Sequence, residues 1–277
     1  MVEIASPAPA IEPELVSALV AAQQMPVTQS SNGICYAVSG PAVLVEGSMT
    51  TADLERLVGA VPSTMTAALV RRAYYFVPLA LGEGDEVQIA SASTTELAER
   101  AACHRNAKLA NAEVTFLSTR LMHDRFAMAF EFFINIGHHF VEAAGVPESF
   151  QDLVLSQART EVRGETSQDA WEGRRRAFQK VVSEDSRIEA KGNVKGDAKT
   201  SEDEQAKNTY LTTAFADALA IYMLSLTVDF DYADLREREY PLLASPALAE
   251  RLRMVASLLP PNAGYEFEIR YRRRSDR

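Results

Sequence analysis

Four histidines, His104, His123, His138 and His139, all fall between positions 104 and 139 of the 277-residue chain. Imidazole titrates near neutral pH and ligates transition metals, so this concentration raises acid–base or metal chemistry. Two of the four sit in "FEFFINIGHHF", residues 130 to 140, where one carboxylate, one amide and two imidazoles interrupt large apolar side chains. On a helix turning about 100° per residue, Glu113, Arg120, Asp124, Glu131, Asn135, His138 and Glu142 fall in a stripe of roughly 60°, while His123 and His139 project elsewhere. Facing water, this stripe is the polar edge of an amphipathic helix. Facing a bundle interior, Glu131, His138 and Glu142 would present ligands for a divalent transition metal from successive turns. A third reading makes the same groups buried ion pairs with a structural role.

Asp217 extends the metal candidate set. It is the one charged residue between Tyr210 and Val228 in an apolar run. A carboxylate inside a buried helix must be paired, metal-bound or protonated. Arg120, Arg125, His123 and His138 are the partners the sequence offers. The set Glu131, His138, Glu142 and Asp217 nevertheless departs from the di-iron bundle pattern, which needs two Glu-x-x-His pairs where this chain has none.

Weaker signals carry less. Cys103 and His104 are adjacent, and neighbours on a helix point about 100° apart, which is poor geometry for a nucleophile and its base. "SGPA" and "GEGDE" lack the spacing of a phosphate-cradling loop. The arginine runs 174–176 and 270–277 are basic islands that read as solvated faces. Trp171 reads as a packing anchor.

The formal net charge of −10 and pI of about 5.0 argue against general affinity for nucleic acid or anionic membranes, both of which demand Lys and Arg. Cys35 and Cys103 have no metal-ligand spacing and read as free thiols of a reducing, cytoplasmic protein. The run "TAFADALAIYMLSLTV" is short for a membrane span and contains Asp217.

The elements that must hold these residues are read from periodicity. Residues 1–32, with "SPAPAIEPE", look like a partly disordered leader. Residues 33–92 are a small α/β region: "ICYAV" and "AVLVEG" form a hairpin about Ser39-Gly40-Pro41, "TTADLERLVGAVP" forms a brief helix, and two strands flank residues 82–85. Pro78 suits a strand end. Residues 93–184 are a helical region opened by the capping box Ser93-Thr94-Thr95-Glu96, first as one long helix or as two with a break near 106–111, with a stop at Gly145 and Pro147. Two further helices follow, over "ESFQDLVLSQARTEV" and "SQDAWEGRRRAFQKVV". Residues 185–208 have almost no large apolar side chain and read as a mobile acidic loop, with Ser201-Glu202-Asp203-Glu204 capping the next helix. Ser245-Pro246 starts a last helix and Pro260-Pro261 ends it.

"YEFEIRYR", residues 265–272, alternates strictly, and it reads as a C-terminal strand that returns to the N-terminal sheet. The fold class is therefore α+β: a small sheet of N-terminal strands plus the C-terminal strand, and a predominantly helical body. The leading functional expectation is a soluble, non-catalytic assembly or protein-interaction subunit, with a protein partner or a homo-oligomer. The alternative is a helical-bundle metal-binding protein or metal-dependent enzyme using Glu131, His138, Glu142 and Asp217.

Overall fold

A computed structural model describes residues 13–39, 48–82, 86–109, 111–178, 195–235 and 240–270, with the backbone alone for 195–203. The chain is α+β, with small sheets and a helical body, and it divides into two compact units. No helix among the described residues is long and apolar enough to cross a membrane.

The first unit comprises residues 1–30, 35–50 and 71–128. Its larger sheet has the order β2 (Thr28–Gln29), β3 (Cys35–Val38), β4 (Arg72–Val77), β8 (Ala112–Ser118), β7 (His104–Leu109). β3, β4 and β8 run parallel, and β2 and β7 close the edges antiparallel. The central strand β4, "RAYYFV", is buried from Tyr74 to Val77, as a strand covered on both faces must be. Pro78 ends it, since it has no N–H for a ladder, and the Ser118 hydroxyl donates to its carbonyl at 2.8 Å. A smaller antiparallel sheet orders β1 (Leu15–Ser17), β6 (Gln88–Ala90) and β5 (Leu79–Leu81). Tyr75 and Phe116, with ring centroids 5.3 Å apart, lie in a core with Val77, Ile89 and Ala21 of α1 (Ala18–Gln24).

Several expectations are corrected here. Residues 13–32 are not a leader: they form β1, α1 and β2, and residues 1–12 lie outside the described residues. "ICYAV" does not open a hairpin; β3 pairs with β2 and β4, and "AVLVEG" lies outside the described residues. Residues 93–144 are not one helical stretch. The capping box makes only α4 (Thr95–Ala98), where the Thr94 hydroxyl accepts from the Leu97 N–H at 3.3 Å. α4 buries no residue, so nothing extends it beyond a turn. The following residues form the β7–β8 pair instead, with Val114, Thr115 and Phe116 buried in the β8 centre.

The second unit comprises residues 31–34, 51–70 and 129–277. α2 (Thr51–Gly59) and α3 (Thr66–Leu69) precede the body, made by α5 (Arg125–Ala144) from Ala129 onward, α6 (Glu148–Arg159), α7 (Gln168–Phe178), α8 (Lys195–Ser225) and α9 (Ser245–Leu258). α8 is the central helix, buried almost all round from Tyr210 to Leu224. α5 crosses it at Gly137: a Cβ there would stand 2.6 Å from the Ala216 carbonyl oxygen, a gap only glycine leaves. Pro147 is the N-cap of α6, and Ser245-Pro246 opens α9.

Two asparagines distant in sequence hold the end of α2. Asn32 donates to the Val58 and Val61 carbonyls at 2.8 and 2.7 Å, and Asn262 to those of Gly59 and Val61 at 2.9 and 2.7 Å. Asn262 also accepts from the Ser63 N–H at 2.9 Å. Val58 and Gly59 lie in the last turn of α2, whose carbonyls have no i+4 partner within the helix, and Val61 lies just beyond it.

The mobile-loop expectation for 185–208 is corrected in its second half. Helix α8 begins at Lys195, ahead of the Ser201 capping box; residues 185–194 lie outside the described residues. The C-terminal strand is corrected too. Over residues 265–270 no ladder is formed, and neither sheet contains this segment. Its alternation is nonetheless real: Tyr265, Phe267 and Ile269 are half-buried, and Glu266, Glu268 and Arg270 exposed. The apolar face lies on helices of the second unit, with the Phe267 ring 5.2 Å from Tyr222 and the Tyr265 hydroxyl donating to the Arg56 carbonyl at 2.6 Å.

Candidate functional site

The polar stripe shortens once the elements are placed. Glu113 lies in β8, Arg120 in the 3-10 turn Thr119–His123, and Asp124 accepts from the Ala127 N–H at 3.0 Å at the start of α5. Glu131, Asn135, His138 and Glu142 share α5. Along that helix Glu131 is half-buried, His138 and Glu142 are exposed, and His139 is buried. His104 belongs to β7 and His123 to the 3-10 turn. Among the described residues no group of three or more His, Cys, Asp and Glu side chains is placed to hold a metal ion. Glu131, His138, Glu142 and Asp217 therefore do not come together as one ligand set.

Asp217 is buried, as the sequence requires, but its partners differ from those the sequence offers. The Thr166 hydroxyl donates to its Oδ2 at 2.8 Å, and Ser167 supplies another hydrogen bond. Burial pushes its carboxyl up to about 6, against the two hydroxyls; the neighbouring Glu165 adds to the rise and Arg251 opposes it.

Those neighbours belong to a buried network absent from the sequence reading. Glu165 follows Gly164, whose φ of +79° and close approach to Leu242 exclude a side chain. The turn is anchored alongside residues 241–244: the Glu165 N–H donates to the Pro241 carbonyl at 3.0 Å, and the Leu243 N–H to the Glu165 carbonyl at 2.9 Å. The Glu165 carboxylate accepts from Arg251 at 2.8 and 3.3 Å, from the Tyr210 hydroxyl at 2.5 Å and from Arg174 at 3.3 Å. Arg251 donates its remaining Nε–H to Gln157 at 2.8 Å, and Gln157 in turn donates to Ala247 and Glu250. Burial alone would lower the basicity of Arg251, but the Glu165 carboxylate more than offsets it and raises it. Burial, reinforced by Glu165, likewise raises the Tyr210 phenol. With donors and acceptors matched in this way, the cluster joins α6, α7, α8 and α9 through polar bonds.

One signal for Arg251 was available: it sits at helical spacing among Ala247, Leu248, Leu252 and Val255, on the buried stripe of α9. Glu165 had none, because a turn residue has no periodicity to betray its burial.

The second feature of this unit is a groove of about 470 Å³, within the size range of ligand sites. It lies between the end of α8, the chain 226–232, α9 and the segment 266–270. Leu226, Leu248, Ala249 and Leu252 form a buried apolar floor, with half-buried Val228, Phe267 and Ile269 beside it. Asp229, Asp231, Glu266 and Glu268 stand exposed around its mouth. Arg270 is the cation there, bonded to Glu268 at 2.8 and 2.9 Å, and that carboxylate raises its already high basicity. Five consecutive residues, 266–270, line the groove, so the backbone of this segment borders it. Among the described residues that backbone forms no hydrogen bond from 266 to 270.

Comparison with known proteins finds no match to the chain among family models, curated proteins or solved structures.

Proposed function

We propose that the chain is a soluble, non-catalytic assembly or protein-interaction subunit, and that its docking surface is the groove beside residues 266–270. One observation carries this reading: an alternating segment borders an apolar-floored groove with its backbone donors and acceptors unmet by the described residues. Such an edge is a template for an added strand, where main-chain bonds supply affinity and alternate side chains supply specificity. The acidic mouth adds a charge criterion that a partner must satisfy. The half-buried cysteines Cys35 and Cys103, neither of them in a disulfide, suit a reducing, cytoplasmic setting.

The test is a photo-crosslinking residue placed at Glu266 in cells, with a matched one at exposed Glu148 on α6 as control. The expected result is a defined protein adduct, the chain itself or another protein, at 266 and not at 148. No adduct at 266, together with one equivalent of transition metal in the purified chain, would favour metal chemistry and overturn the proposal.

A further inference from the structure

The occupant of the groove can be specified further, on the premise that the groove is a docking surface. We infer that it is a second copy of this chain, paired antiparallel over residues 268–270 about Ile269.

The argument begins with charge. On the exposed face of the segment, Glu266 and Glu268 precede Ile269, and Arg270 follows it. In sequence the pattern continues with Arg272. A strand that is acidic before its midpoint and basic after it repels a parallel copy in register and attracts an antiparallel one. Centring the pairing on Ile269 sets Glu268 of each copy opposite Arg270 of the other, because residues summing to the same total face one another across an antiparallel ladder. Two-fold symmetry makes this contact twice, the arrangement expected of an isologous interface.

The other face agrees. Phe267 and Ile269 lie on the inner side with the groove floor. In the pair, Ile269 of one copy meets Ile269 of the other, and the two apolar faces join over Leu248 and Leu252. A ladder would also give partners to backbone groups of residues 268–270. The existing Arg270–Glu268 bond joins two exposed side chains within one segment, so exchanging it for the intermolecular pair forfeits little.

The test uses charge reversal on the full chain, read by sedimentation at micromolar concentrations. Wild type is expected to dimerise. Glu268→Arg places Arg against Arg twice, and Arg270→Glu places Glu against Glu twice; each is expected to weaken the dimer by about tenfold or more. Mixing the two single variants restores both attractive contacts, so the mixture is expected to form a heterodimer of near wild-type affinity. The double variant Glu268→Arg/Arg270→Glu is expected to self-associate as well. Restoration in the mixture also shows that the single variants are folded. Monomeric wild type, single variants that dimerise like wild type, or a mixture that stays monomeric would each overturn the inference. A monomeric chain that still forms a defined adduct with another protein through position 266 would overturn this inference alone and leave the docking function standing.

Discussion

Glu165 and Arg251 form a 2.8 Å ion pair in which neither side chain has any exposed surface. Removing one partner leaves a buried charge, so Glu165→Gln, which leaves fully buried Arg251 without its carboxylate, should cost roughly 3–5 kcal/mol, and Arg251→Met somewhat less because Arg174 and the Tyr210 hydroxyl still face Glu165. Combining Glu165→Gln with Arg251→Met removes both charges and should cost less than the sum of the two single losses. Urea unfolding of the two single variants and the double variant measures it. A double variant that loses the sum of the two single losses would mean that the residues act independently.

Asp217 makes stability depend on pH in the direction opposite to a salt-bridged carboxylate. Its folded pKa of about 6 lies above its unfolded value of 3.8. The folded chain therefore holds this proton more tightly; the associated stability is complete below pH 3.8 and lost as pH rises through 6. Asp217→Asn keeps a neutral group at every pH. Relative to this variant, wild type should lose on the order of 2–3 kcal/mol between pH 4 and pH 8. A constant difference across that range would show that the carboxyl is not raised.

At Gly137 two effects compete. Alanine gains about 1 kcal/mol of helix propensity, but its Cβ would stand 2.6 Å from a backbone oxygen that has no side-chain freedom to yield. Overpacking of this kind costs about 1–3 kcal/mol. Gly137→Ala should therefore lower the melting temperature. An increase would mean that α5 and α8 separate at little cost.

Asn262→Ala removes three hydrogen bonds around the end of α2, and Asn32→Ala removes two to carbonyls there. Each should cost about 1–3 kcal/mol. Both side chains donate to the Val61 carbonyl, so the double variant should depart from additivity. Chemical denaturation of all three variants measures the coupling, and strict additivity would rule out the shared acceptor.

Local chemistry made part of this fold legible in the sequence. Ser245-Pro246, Pro147 and the apolar run after Tyr210 each specify their element through backbone or burial constraints that need no distant partner. Errors arose where a tertiary partner decides. The capping box at Thr94 is a sound start signal, yet α4 ends after a turn because no apolar face holds it, and β8 draws the next residues into a sheet. In 265–270 the alternation correctly gave the face and wrongly gave the sheet, since periodicity reports which side is buried and not what lies alongside. Of the candidate site residues, Asp217 was recognisable as a buried carboxylate from its apolar neighbours. Its hydroxyl partners come from a turn some fifty positions earlier in the sequence, a pairing no spacing rule supplies.

The two asparagines at α2 also constrain the order in which the molecule can be completed. Asn262 lies 201 positions from Val61, whose carbonyl it shares with Asn32. During synthesis on the ribosome, α2 emerges long before the side chain that finishes its C-terminal end. The second unit therefore cannot be completed progressively from its N-terminal side; it must wait for residues near 262, and its early helices spend most of translation without their final contacts. Such long-range closure slows folding and makes this unit the portion of the nascent chain most dependent on protection from premature association.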